Sequence, residues 1–150
     1  MHSITKGLLA GAAGTLALDV VTYGDMLLRG RPSSGIPAQV ADRLAQRAGV
    51  PLGGGEVRDA RTQAAGALMG YGTGVAAGAA YGLLRRGRRP LPNAVAGPLL
   101  GAAVMAGANV PATRLRLTDP TSWDVGSWLS DIVPHLVYGL TTAAVYRALD

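Results

Sequence analysis

The 150-residue sequence contains no cysteine, which excludes disulfide bonds, thiolate metal sites and cysteine nucleophiles. It has only two histidines, and one of them is His2 at the amino terminus, so a histidine–aspartate metal site is not expected. Phenylalanine is also absent, and charged residues make up only 15% of the chain. The composition therefore predicts no metal and no cofactor.

Motifs for other enzyme chemistry are equally scarce. Ser130 and His135 are spaced so that they fall on different faces of a predicted helix, which does not suit a serine nucleophile and its base. The glycine-rich stretches GAAGT and GGGEV lack the lysine and hydroxyl residue of a phosphate-binding loop. We therefore expect that the protein is not an enzyme.

What the sequence does contain is long apolar segments. Apolar residues account for 49% of the chain, and glycine alone occurs 22 times. Four segments are long and almost free of charge, and about 20 such residues suffice to cross a bilayer. They are residues 5–28, 62–84, 92–111 and 125–148. These segments predict an all-α integral membrane protein with four transmembrane helices in one domain. A soluble helical bundle is a poorer alternative, since its helices would need a polar face.

Details of the first and third segments refine this prediction. The first segment begins like a signal peptide, but Asp19 interrupts its apolar run, so we predict a retained span. The third is the shortest, and Gly107 and Asn109 are predicted to end its helix.

A shorter helix of a different kind is predicted for residues 37–48. Its apolar side chains share one face, and they are Ile36, Val40, Ala41, Leu44 and Ala48. Charged and amide side chains occupy the other face. Because twelve residues are too few to span a bilayer, this amphipathic helix is predicted to lie at the membrane interface.

Glycines recur at intervals of four within the predicted spans. The second span carries a row of five, namely Gly66, Gly70, Gly74, Gly78 and Gly82. Shorter rows occur in the first and third spans, at Gly7, Gly11, Gly97 and Gly101. Because small residues let helix backbones approach closely in lipid, these faces are predicted to pack helices together. An alternative is that the long row lines a pore.

Several polar residues lie inside the predicted spans. They are Asp19 in the first span and Asp131, His135, Tyr138 and Thr142 along one face of the last. A charge in the bilayer is costly, so Asp19 is expected to be protonated or to pair with His135, Asn109 or a partner chain. These residues are consistent with a proton or cation relay, or with buried hydrogen bonds that fix helix register.

Proline inside the last span affects the same region. Pro134 has no amide hydrogen to bond the Ser130 carbonyl, so it predicts a kink beside Asp131 and His135.

Four arginines crowd the short turn after the glycine-row helix. They are Arg85, Arg86, Arg88 and Arg89. Dense basic charge in a short loop predicts a cytoplasmic location, which with four spans places both termini in the cytoplasm. No aromatic residues are interleaved with these arginines, so we expect them to bind anionic lipid rather than nucleic acid.

Three stretches together resemble the YagU-like family of small bacterial inner-membrane proteins. They are residues 7–11, GLLAG, residues 117–120, LTDP, and Trp128 followed by residues 134–138, PHLVY. The resemblance implies residence in the bacterial inner membrane, and it implies no reaction.

Two functions are compatible with these features. The first is a non-enzymatic accessory subunit whose glycine faces associate with a second copy or with a larger membrane complex. The second is a small channel or proton-coupled transporter that uses Asp19, Asp131 and His135.

Overall fold

A computed structural model describes residues 2–88 and 91–149, and within these residues it contains helices and no strands. The helices are α1 (Ser3–Arg29), α2 (Ile36–Arg47), α3 (Gly55–Arg85), α4 (Asn93–Arg114) and α5 (Val125–Ala148), with a 3-10 turn at Pro120–Ser122 before α5. The all-α prediction is therefore confirmed.

The helix boundaries follow local stop and start signals. Helix α1 ends where Gly30 adopts the left-handed conformation with φ 62°, which glycine tolerates without a Cβ clash. Helix α3 begins at Gly55, the last of three consecutive glycines, well before the predicted residue 62. Helix α4 does not end at Asn109 as predicted, but continues through Pro111 to Arg114. The expected stop was wrong because packing against a neighbouring helix outweighs weak local propensity.

The helices are arranged so that α1 and α5 form the centre. Helix α1 packs against α3 and α5, α4 packs against α5, and α2 lies against α3. This assembly has two ends. The arginine end holds the first residues of α1 and α4 and the last residues of α3 and α5, and the α2 end holds their opposite termini.

Glycines form the seam between α1 and α3. A Cβ built on Gly11 would lie 2.7 Å from the Gly74 carbonyl oxygen and 3.0 Å from the Gly78 Cα. A Cβ on Gly78 would lie 2.5 Å from the Gly11 Cα and would also collide with the Gly7 carbonyl. Gly82 meets Ser3 and Gly7 in the same way. The two backbones are therefore in direct contact along this face.

A second glycine seam joins α4 to α5. A Cβ on Gly101 would lie 2.5 Å from the His135 carbonyl oxygen, and one on Gly97 would lie 3.0 Å from the Leu140 Cα. Gly139 faces them from α5, and its added Cβ would lie 2.5 Å from the Gly101 nitrogen. Glycine spacing does not identify Gly139, because no glycine lies four residues before or after it.

The predicted five-glycine row does not act as one packing face. Gly66 contacts the α2 backbone, where an added Cβ would lie 2.6 Å from the Pro37 carbonyl carbon. Gly70 has no neighbouring atom within 4 Å of an added Cβ. The row is therefore interrupted within the chain, because α3 contacts α2 near one end and α1 nearer the other.

Large aliphatic side chains lie mainly on the outside of the assembly. Leu27 and Leu28 are 84% and 87% exposed, and Leu16 and Leu68 are 66% and 68% exposed. The buried interior instead consists mainly of glycine, small side chains and three tyrosines. The tyrosines are Tyr81, Tyr138 and Tyr146. This distribution is the reverse of a water-soluble core, in which large aliphatic side chains are the residues most often buried.

By length and composition, two of the described helices could cross a membrane, namely α1 and α4. Glycine, tyrosine and threonine lower the mean hydropathy of α3, and Asp131, Pro134 and His135 lower that of α5. The four-span architecture therefore remains a prediction.

The glycine seams predict opposite effects for the same substitution at two positions of α3. Gly78→Ala should lower the free energy of unfolding by about 1–3 kcal/mol, because its methyl group meets backbone that cannot move aside. Gly70→Ala should raise it by up to about 1 kcal/mol in the monomer, because alanine favours a helix and the space is open within the single chain. Thermal unfolding in a mild detergent, followed by far-UV circular dichroism, measures both. Equal shifts in the two variants would contradict the described seam.

Candidate functional site

Three polar side chains meet between α4 and α5. The Asn109 amide nitrogen donates to an Asp131 carboxylate oxygen at 2.5 Å. His135 Nδ1 lies 2.7 Å from the Asp131 backbone carbonyl, and since a carbonyl only accepts, Nδ1 donates. The same nitrogen is 3.4 Å from an Asp131 carboxylate oxygen. The Asp131 side chain is 22% exposed and the His135 side chain 13% exposed. The cluster is therefore mostly buried between the two helices.

Asp19 belongs to a different seam. Its carboxyl group faces the Tyr71 hydroxyl across the α1–α3 contact. Two of its expected partners, Asn109 and His135, instead contact Asp131. The third, a partner chain, stays a prediction. The structure therefore separates Asp19 from the other two ionisable residues of the predicted relay.

Tyr138 and Thr142 lie deeper in the assembly and are fully buried. The Tyr138 hydroxyl donates to the Gly74 carbonyl oxygen at 2.7 Å, which ties α5 to α3. The Thr142 hydroxyl has no hydrogen-bond partner and lies against Gly14 of α1. Nearby, the Thr15 hydroxyl donates to its own helix at the Gly11 carbonyl, 2.8 Å away. Of these three hydroxyls, that of Tyr138 is the one whose hydrogen bond joins two helices.

The polar side chains do not continue to the arginine end. Along α5, Tyr138 lies about one turn beyond His135 and Thr142 about one turn beyond Tyr138. Beyond Thr142 the interior is filled by a cluster of alanines and aromatic rings, and its members are Ala10, Tyr81, Ala96, Ala143 and Tyr146. The Tyr81 and Tyr146 rings pack edge to face with centroids 5.1 Å apart. A single chain therefore has a polar half and a closed apolar half.

An ion-pair network at the α2 end joins α1 to α5. Asp25 pairs with Arg29 and with Arg31, each at 2.6 Å. The Arg29 guanidinium also donates to the Ser130 hydroxyl of α5. The spacing of Asp25 and Arg29 is the i, i+4 spacing of a helical ion pair, so this part could have been found from sequence. The contact with Ser130 depends on how the helices pack.

Asp124 is the N-cap residue of α5 at the same end. Its carboxylate accepts a hydrogen bond from the Ser127 amide at 2.7 Å, which caps the helix. Hydrogen bonds from the Ser127 hydroxyl and amide hold the pKa of the Asp124 carboxyl below its usual value, and Arg29 contributes a favourable charge.

The predicted arginine cluster divides into two kinds of residue. Arg85 is partly buried, and its Nε and Nη2 atoms have no hydrogen-bond acceptor. Arg86 and Arg88 are exposed, and Arg88 donates to the Leu84 carbonyl at 2.6 Å. Arg89 lies outside the described residues.

Comparison with family models, with curated proteins and with solved structures finds no match for this chain. The resemblance to the YagU-like family therefore stays a prediction. No group of three or more metal-ligating side chains occurs in residues 2–88 and 91–149.

The capping carboxylate predicts a component of acid sensitivity. Because the pKa of Asp124 is lowered in the folded protein, its ionised form stabilises the fold above the unfolded pKa of about 3.9. That contribution is lost as the pH falls through the lower folded pKa. Asp124→Asn keeps a capping side chain but cannot titrate. Thermal midpoints between pH 6 and pH 2.5 should fall less for this variant than for the unmodified chain, and equal slopes would contradict the assignment.

Proposed function

We propose that the chain is a four-span protein of the bacterial inner membrane, with both termini in the cytoplasm and no catalytic activity of its own. Its role is that of an accessory subunit, which associates with a second copy or with a larger membrane complex. The observation that carries the proposal is the outward position of the leucines around an interior of glycine, alanine and tyrosine.

Exposed aliphatic surface on every long helix supports an apolar environment. Exposed examples are Leu16 on α1, Leu68 on α3, Leu99 on α4 and Leu129 on α5, all more than half exposed. Patches of this kind on a water-soluble monomer would mark an interface or favour aggregation. In a bilayer the same side chains contact acyl chains.

The glycine seams extend this argument to the two helices of lower hydropathy. Helix α3 follows α1 from the Ser3–Gly82 contact to the Thr15–Gly74 contact, a stretch of about 18 Å. Helix α5 follows α4 in the same way through Gly97 and Gly101. If α1 and α4 cross the bilayer, their tightly packed neighbours share most of its depth. Within α3, residues 62–84 carry no charge.

The aromatic and basic residues support an orientation. Trp123 and Trp128 pack edge to face, 5.1 Å between centroids, beside the start of α5, where a membrane–water interface would lie. The arginines of the short α3–α4 turn lie at the opposite end and favour a cytoplasmic position for it.

Association with a partner would use surface that the chain leaves open. Most predicted packing glycines already contact neighbouring helices within the chain. Gly70 and Gly72 on α3 have open space around them, and a close helix contact there would offset the cost of glycine in a helix.

A channel or proton-coupled transporter is the second candidate, and the Asn109–Asp131–His135 cluster favours it. Buried ionisable residues in spanning helices are often functional. The separate position of Asp19 and the closed cluster around Tyr81 oppose transport through one chain.

Topology and membrane retention test the proposed architecture. Reporter domains inserted after Arg88 and between Gly54 and Gly55 should lie on opposite sides of the membrane, the first in the cytoplasm. The protein should also stay in the pellet when membranes are washed with alkaline carbonate. Reporters on the same side, or release by the wash, would contradict the proposal.

Proton flux separates the two candidate functions. Liposomes containing the purified protein should show no flux above protein-free liposomes when a pH gradient is applied. A flux that disappears in His135→Ala and Asp131→Asn, but persists in the Asp124→Asn control, would favour the transporter instead.

A further inference from the structure

Arg85 is the partly buried cation of the arginine end, whereas Arg86 and Arg88 are exposed. It lies in the last turn of α3, on the same face as Gly78 and Tyr81, so it continues the face that packs against α1. Two of its guanidinium nitrogens, Nε and Nη2, are buried and have no acceptor. A buried donor without a partner is costly, and more so when it is charged. The site is therefore incomplete without an anion.

The described helices offer no carboxylate for this purpose. No aspartate or glutamate occurs in residues 2–18, 60–88, 91–118 or 132–149, which include all helical segments at the arginine end. Several arginines are instead found there, namely Arg85, Arg86, Arg88 and Arg147. No aspartate or glutamate of these segments can therefore pair with Arg85.

The beginning of α1 adds a second attraction for an anion. Helix α1 starts at Ser3, has no side-chain cap and has no acidic residue in its first turn. Gly82 of α3 lies against Ser3, which brings Arg85, less than one turn further along α3, to this terminus. The amide groups at a helix N-terminus carry partial positive charge and favour phosphate or carboxylate.

Exposed apolar side chains surround the same end. Leu83 and Leu84 of α3 are 52% and 65% exposed, and Ile4 of α1 is 46% exposed. A free anion would leave this apolar surface exposed to water, whereas the acyl chains of a phospholipid would cover it. The combination of a buried guanidinium and neighbouring aliphatic surface fits one ligand class.

We propose that Arg85 binds the phosphate of an anionic phospholipid between the end of α3 and the start of α1. The proposal rests on the membrane placement proposed above and makes it specific to one residue. Arg86 and Arg88, which are exposed, contribute only diffuse attraction. Arginine suits the role because its planar donor group matches two phosphate oxygens.

Native mass spectrometry in a mild detergent tests the proposal, with phosphatidylglycerol as the anionic probe and phosphatidylcholine as the zwitterionic one. Arg85→Gln should weaken phosphatidylglycerol binding by about tenfold or more, as expected for loss of a charge-assisted hydrogen bond. Arg88→Gln removes the same charge from the same turn and should weaken it less than about threefold. Phosphatidylcholine binding should be unaffected by either change.

Equal losses in Arg85→Gln and Arg88→Gln, or no loss in either, would overturn the site in favour of diffuse attraction. Displacement of phosphatidylglycerol by millimolar inorganic phosphate, dependent on Arg85, would overturn the lipid in favour of a free anion. Arg85→Lys, with unchanged circular dichroism, should retain part of the affinity and thereby exclude misfolding as the cause.

Membrane retention separates this inference from the proposed function. If carbonate-washed membranes retain the protein but Arg85→Gln binds lipid normally, only the phosphate site is wrong. If the wash releases the unmodified protein, both proposals are wrong.

Discussion

Direct backbone contact between helices is the interaction on which this structure depends. Along the α1–α3 seam, Gly7, Gly11 and Gly78 leave no room for even one Cβ, and Gly97, Gly101 and Gly139 do the same between α4 and α5. Contact at this distance replaces the interdigitated side-chain core of a soluble bundle with van der Waals packing between main chains. Because glycine supplies no apolar surface of its own, little of the stability of these seams derives from burial of large side chains.

That packing determines where the larger side chains lie. With glycine and alanine at the contacts, the leucines and valines of the same helices point outward, and the interior keeps only tyrosines large enough to bridge helices. Tyr138 shows how such a bridge works, since its hydroxyl on α5 reaches the Gly74 carbonyl on α3. An assembly with its aliphatic surface outside requires an apolar environment or a partner, which links the packing to the proposed membrane role.

The two ends of the molecule differ in how charge is compensated. At the α2 end, Asp25 pairs with Arg29 and Arg31, and Asp42 pairs with Arg58 at 2.7 Å. At the arginine end, two Arg85 nitrogens lack an acceptor. This difference is what an anionic leaflet at one end would complement.

The sequence by itself determined the helical class, the approximate helix positions and most of the packing glycines, because periodicity and glycine spacing are local properties of a helix. It could not decide that Gly66 contacts α2, that Gly70 faces open space, or that α4 runs past Asn109 to Arg114. It also could not show that Asn109 donates to Asp131, or that Asp19 faces Tyr71 instead of His135. Those outcomes depend on which helices become neighbours and at what register, and pairing across helices is set by tertiary packing rather than by spacing along one of them.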